Sequence, residues 1–273
     1  MSPQTPLFIA LSLYIISAIF YLVYLLNRNE FYDKSGYYVL LAGFLVHLSG
    51  TVFRYVLAGY TPITNLHESL SFFALCTAAF FVYLRRSYRI AGLGGIILPF
   101  IAVMLIWAIS IPSPIRPLPP VLQSFWLPIH TIFAFLGNAI FLVGFVVSII
   151  YLLAERDLKR KKKLHTIFRS FPSLETLDRI NYRCMAYGFP SLTAAIITGS
   201  IWAETAWGHP WNWDPKETWS LITWIVYAIL IHNRFVIGWR GRKTAYLMIL
   251  GFVSVIVTFL GVNLIIGGLH SYV

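Results

Sequence analysis

The chain has 273 residues, of which 58% are hydrophobic and only 11% charged, and its mean hydropathy is +0.74. This composition excludes a water-soluble globule, which needs far more polar side chains to cover its surface. The net charge of +11 would suit a nucleic-acid binder if the cations shared one face, but they sit in clusters between apolar runs, so nucleic acid is not an expected partner.

Crossing a hydrocarbon core roughly 30 Å thick takes about 20 apolar residues. Eight such runs can be placed, near residues 7–26, 37–57, 65–84, 91–111, 126–153, 184–204, 216–237 and 244–268. The first is too long for a signal peptide and lacks a basic start and a cleavage site, so it reads as a retained span. The expected fold is all-α: a polytopic membrane protein of about eight transmembrane helices, with residues 1–273 forming a single integral membrane domain. Of the 21 Lys and Arg residues, 18 fall in alternate connections, after spans one, three, five and seven. The positive-inside rule then places both termini, and the connection between spans six and seven, on the outer face. The basic run at 159–163 reads as the strongest inner anchor.

In chain order, the second span carries His47 near its middle and Arg54 near its outer end, depths at which ionisable groups need partners. Thr64 or Asn65 with Glu68 reads as a capped start of the third span, and His67 beside them is ambiguous. Five prolines between Ile111 and Pro120 make a stiff connector. It leads to Trp126 and His130 at the start of span five. Leu164, Ile167, Phe168, Phe171, Leu174, Leu177 and Ile180 recur at helical spacing, as in an amphipathic helix on the inner surface. Cys76 and Cys184 form no CxxC pair and read as buried small hydrophobes.

The stretch Trp202 to Trp224 is the densest in chemistry, with six of the nine tryptophans and three of the ten carboxylates in 23 residues. Gly208 and Pro210 break any regular helix there, and Asp214, Pro215 and Glu217 spell a helix start with a capping box. A loop of indoles where apolar surroundings meet water suits a large planar ligand. Trp107, Trp126 and Trp239 read as ordinary interfacial anchors. The last span ends in a glycine-containing segment with His270 at the outer edge.

The histidines sort by depth. His130, His209 and His270 lie at the outer surface, and His47 and His232 lie within spans. His232 is 18 residues below Asp214, about 27 Å along a helix, so one porphyrin cannot touch both levels. Neutral imidazoles on opposite faces complete the coordination of haem iron. His130 with His270 is the expected outer pair and His47 with His232 the expected inner pair. Each histidine alone reads first as a hydrogen-bonded or interfacial side chain. His209, between Gly208 and Pro210, suits a structural turn, and His165 an ordinary surface. Asp214 and Glu217 read first as cap residues. Arg54, Arg116 and Lys216 are the outer cations available to haem propionates.

WGHPWNWDPKETW followed by SLITWIVYAILIHNR resembles the tryptophan-rich WWD signature of haem-handling membrane proteins. Together with PITNLHES, WLPIH and GVNLIIGGLHSY it resembles the CcsA (ResC) branch of System II cytochrome c assembly, from Gly43 onward. The family usually has tyrosine where His67 stands. The resemblance implies a subunit that passes haem b across a bacterial, archaeal or thylakoid membrane and presents it to an apocytochrome c bearing a CxxCH motif. Enzymatic work is implied only within a holocytochrome c synthase, or haem lyase, made with a CcsB-like membrane protein, and a thiol-reducing partner fits the chemistry. By the same resemblance His130 and His270 match outer iron ligands and His232 the ligand within the membrane. Trp207, Trp211, Trp213, Asp214, Trp219 and Trp224 fall in or beside the haem platform. Two other readings share these ligands: a haem transporter without ligase activity, and a bis-haem subunit that oxidises quinol.

Overall fold

Backbone amides in hydrocarbon must find partners within their own segment, and helices meet that requirement. The computed structural model describes residues 4–160, 168–259 and 261. Among them, eight helices are long and apolar enough to cross a membrane. They are α1 (Thr5–Asn27), α2 (Glu30–Ala58), α3 (Leu66–Ser87), α4 (Ala91–Ser110), α5 (Trp126–Lys159), α6 (Leu174–Trp207), α7 (Pro215–His232) and α8 (Arg242–Ile256). A π-helical turn, Asn233–Ile237, continues α7. The expected all-α, multi-pass membrane fold is therefore the observed one.

The boundaries depart from the apolar runs where polar residues can still be helical. α2 starts ahead of its run because the Asn29 side chain caps it, accepting the Phe31 N–H at 2.9 Å. α6 starts ten residues before the run at 184. Leu174, Leu177 and Ile180, expected in a separate surface helix, form its first turns instead. Leu177 and Ile180 are buried there, so tertiary contact and not the membrane surface receives that face. Residues 161–167 lie outside the described residues.

The helices gather into two compact units, Met1–Pro117 with Leu153–Ser173, and Leu118–Leu152 with Leu174–Val273. In the first, α1 and α2 form an antiparallel hairpin. The buried positions of α2 are Gly36, Leu40, Gly43, His47, Gly50 and Arg54, an alternation of four and three that makes a coiled-coil seam. Its glycines let the two backbones approach closely. A methyl group on Gly50 would stand 2.7 Å from Pro6 Cβ, and one on Gly43 3.1 Å from Leu13 Cβ.

Three polar rungs tie α2 to α3. Asp33 pairs with Arg85 at one end, His47 Nε2 meets Ser71 Oγ at 2.9 Å in the middle, and Arg54 Nε donates to Glu68 Oε1 at 2.8 Å at the other end. Residue numbers rise on α2 as they fall on α3, so the rungs fix an antiparallel register. The last rung is a buried network. Glu68 Oε2 also accepts the Thr64 N–H and hydroxyl, each at 2.9 Å, while Asn65 Oδ1 caps α3 through the Glu68 N–H at 3.0 Å. The Arg54 guanidinium donates further to Ser113 Oγ at 2.7 Å and to its carbonyl at 3.1 Å.

In the second unit, Phe141 of α5 stacks on Tyr227 of α7 at 3.6 Å between ring centroids. Gly188 of α6 and Gly251 of α8 leave the room these rings occupy. Where α7 passes into α8, Arg234 grips Asp178 of α6 through two bonds of 3.0 and 2.7 Å. The Gly241 N–H donates to the same carboxylate at 2.7 Å. Cys76 and Cys184 are buried and unbridged.

Removing one partner of a buried ion pair strands the other charge. Arg54→Met or Glu68→Leu alone should cost about 3–5 kcal/mol. The double variant should recover part of that loss, measured by unfolding of the purified protein in mixed detergent.

Candidate functional site

The chemistry-bearing residues of the second unit collect where α5 begins, α6 ends and α7 begins. His130 stands one turn into α5, and its Nδ1 donates to the Ala195 carbonyl of α6 at 2.7 Å. A carbonyl can only accept, so Nδ1 carries a proton, and in the neutral ring the lone pair is at Nε2. Histidines that ligate metals are held in this way, with the second nitrogen bonded to a carbonyl or carboxylate that fixes tautomer and orientation. The approach depends on Gly199, one turn along α6: a methyl group there would lie 2.6 Å from His130 Nδ1.

Trp202 gives the imidazole a floor. Its ring runs nearly parallel to that of His130, at 18° and 6.3 Å between centroids. It is buried, and its indole N–H donates to the Val121 carbonyl at 3.3 Å. Trp207, the last residue of α6, meets Trp202 edge-on at 6.2 Å.

The connection from α6 to α7 is irregular, as Gly208 and Pro210 require. Asp214 is buried and forms the expected capping box with Glu217, and its Oδ1 accepts the Lys216 N–H at 2.9 Å. Trp211 and Trp213 stand edge to face at 5.8 Å. The Trp211 indole nitrogen is buried without a hydrogen-bond partner among the described residues. Trp213 takes a φ of +55°, a left-handed conformation that a bulky residue adopts at a cost of about 1–3 kcal/mol. The residue is 69% exposed. Trp219 is half-buried on α7. Trp224, two turns into that helix, serves α6–α7 packing: its N–H donates to Thr193 Oγ1 at 2.9 Å and its ring lies against Phe189.

His232 closes α7 and faces outward, in line with the exposed Ile222, Ile225 and Ile229. His209 is exposed in the loop. His47, in the first unit, has both ring nitrogens engaged, Nδ1 with Tyr14 at 3.3 Å and Nε2 with Ser71 at 2.9 Å. His67 is buried in that unit with Nδ1 bonded to the Ala108 carbonyl at 2.7 Å. Arg54 pairs with Glu68 and donates to Ser113. His165 and His270 lie outside the described residues. Sequence reading found His130 but not its supports, Ala195 and Gly199. An isolated glycine three residues before a buried tryptophan in an apolar helix was the available signal.

Residues 63–270 match the family described as cytochrome C assembly protein. The chain belongs to that family. Relatives named cytochrome c biogenesis protein CcsA include one from Guillardia theta, 36% identical over 97% of this chain and 93% of its own length. A relative of the same name from Microcystis aeruginosa is 34% identical over 91% of this chain and 98% of its own. The one from Chlamydomonas reinhardtii is 39% identical, covering 80% of this chain and 63% of its own. Among solved structures, the cytochrome c haem lyase CcmF shares the fold with a TM-score of 0.72 at 16% identity. That match covers 94% of this chain and 46% of the CcmF chain, so the chain spans less than half of that protein.

If Gly199 exists to admit the imidazole, Gly199→Ala should break the His130–Ala195 bond and destabilise the protein by about 1–3 kcal/mol. In a His130→Ala background the same change should be neutral, or stabilising by up to about 1 kcal/mol from helix propensity. Detergent unfolding of the four variants checks both signs.

Proposed function

We propose that this chain is the haem-binding membrane subunit of a System II cytochrome c synthase, passing haem b across the membrane and presenting it for attachment to apocytochrome c. The observation that carries the reading is the His130 imidazole, pinned at Nδ1 by a helix carbonyl and backed by Trp202 at the mouth of a tryptophan loop. Membership of the cytochrome c assembly family supports it, as do the names of the CcsA relatives.

The residues present suit a haem. His130 would offer Nε2 to iron, and His270, expected from the sequence, is the proposed second ligand. Trp207, Trp211, Trp213 and Trp219 supply apolar faces. The unpaired, buried indole N–H of Trp211 is a donor of the kind a propionate accepts. Asp214 sets where this loop ends and α7 begins, and Trp224 braces the helix below it. The positive-inside pattern supports an outer-face position for this end of the unit, where apocytochrome c would be met.

In the attachment itself, each thiol of the acceptor's CxxCH segment adds across a haem vinyl group. A carbon–sulfur bond forms at one vinyl carbon while the thiol hydrogen ends on the other, so the addition consumes neither oxidant nor reductant. No side chain among the described residues is assigned as a general base, and the chain's proposed contribution is to hold the ring with its vinyl edge accessible, which is where positioning gains rate. A CcsB-like membrane protein is the proposed partner, with a thiol-reducing protein keeping the acceptor cysteines reduced.

A second haem is proposed at inner depth on His232. His47, its expected companion, would ligate iron only by giving up its bond to Ser71 or to Tyr14. His47→Ala therefore tests that role directly: loss of inner haem supports it, and unchanged inner haem assigns His47 to structure.

For the outer site, protein purified with its partner should show a six-coordinate low-spin haem spectrum. His130→Ala or His270→Ala should weaken that site by roughly 10- to 100-fold, by analogy with loss of a metal-supporting contact, while leaving the inner haem. Unchanged outer haem and unchanged cytochrome c maturation would overturn the assignment. Thioether formation on an apocytochrome peptide, with and without the partner, separates ligation from delivery alone.

A further inference from the structure

The helix cap accounts for only part of what Glu217 does. Its Oε2 accepts the Asp214 N–H at 3.3 Å, as a capping box requires, and also the Asn212 N–H at 2.8 Å. These two amides bracket Trp213, the residue with φ of +55°. One carboxylate oxygen thus clamps the backbone on both sides of a tryptophan held in a conformation that favours glycine. The residue so held is 69% exposed, and its ring meets Trp211 edge-on at 5.8 Å.

Stability alone gives no reason for this arrangement. A glycine at the same position would take the backbone angle without strain and would expose no indole. Strain of this kind persists where surrounding structure over-determines it, and it clusters at ligand clamps. Here the over-determining group is on a helix. Asp214 at the cap and Pro215 in the first turn fix where α7 begins, so Glu217 reaches back to the loop from a rigid position. The display angle of Trp213 is set by α7 and not by the loop.

We propose that Glu217 is a positioning residue, whose carboxylate clamps the Asn212 and Asp214 amides so that the Trp213 indole stands out beside Trp211 as a contact face for the porphyrin ring. This rests on the reading of the tryptophan loop as the outer haem platform.

The test uses the full chain with its membrane partner, labelled with 5-fluorotryptophan and extracted in detergent. The Trp213 fluorine resonance is identified by its loss in Trp213→Phe. Glu217→Ala should shift that resonance toward the position of a mobile, solvated indole and lower cytochrome c maturation on the order of 10- to 100-fold, the scale of a misplaced binding group. Glu217→Gln keeps one acceptor oxygen without its charge, so it should lose less, and it serves if Glu217→Ala does not accumulate. In a Trp213→Gly background Glu217→Gln should cost no further maturation, because the clamp then has no ring to place. An unmoved Trp213 resonance, or an equal loss in the Trp213→Gly background, would overturn the proposal and leave Glu217 as a cap alone. The resonance needs no bound haem, so it judges the clamp separately from the His130→Ala spectrum, which judges the platform.

Discussion

The hydrogen bond from His130 to the Ala195 carbonyl is the contact on which the second unit's site depends. An imidazole free to rotate about its side-chain bonds presents its lone pair in many directions, and one bonded at Nδ1 presents it in one. The bond is possible because α6 has no side chain at Gly199, and it is kept in place by Trp202, itself tied to the Val121 carbonyl. Everything that fixes the ring therefore belongs to helices or to backbone next to them. The tryptophan loop follows the same economy of parts. It is irregular, yet its end is set by the Asp214 cap and by the reach of Glu217 from α7. Sites supported on regular elements hold their geometry better than sites built from loops alone.

The first unit shows the opposite use of similar residue types. His47 and Arg54 stand at depths where an ionisable side chain invites a functional reading, and both bond to α3, His47 to Ser71 and Arg54 to Glu68. A low-dielectric interior makes an unpaired charge so costly that pairing is demanded of structural and functional groups alike. Depth therefore says only that a partner exists. The partner says what each contact does: Glu68 neutralises Arg54, whereas the Ala195 carbonyl fixes the Nδ1 proton of His130.

How far the sequence reveals the fold follows from this. The eight spans are legible because twenty apolar residues have few other uses, and the start of α7 because Asp214, Pro215 and Glu217 form a pattern with a local cause. Helix ends are less legible: α2 and α6 run on through polar residues, since a cap or a buried face outweighs hydropathy. At the site, the histidine and the indoles carry their own chemical signal. Their supports do not, because a backbone carbonyl looks like every other one in the sequence and Gly199 like any helix glycine. Contacts of side chains thirty or sixty residues apart, such as Tyr14 with His47 or His130 with Ala195, have no local signature.

The seam of α2 also carries a hidden ambiguity and its remedy. Gly36, Gly43 and Gly50 recur every seven residues, so as far as shape is concerned α1 could slide along α2 by one heptad, roughly 10 Å, and find the same smooth track. Lipid would not oppose such a slip, since hydrocarbon tails wet either alignment equally well. The polar side chain sharing the track makes the alignments unequal: displaced by a heptad, the Tyr14 hydroxyl would leave His47. A periodic groove thus acquires a single address from one non-repeating side-chain contact.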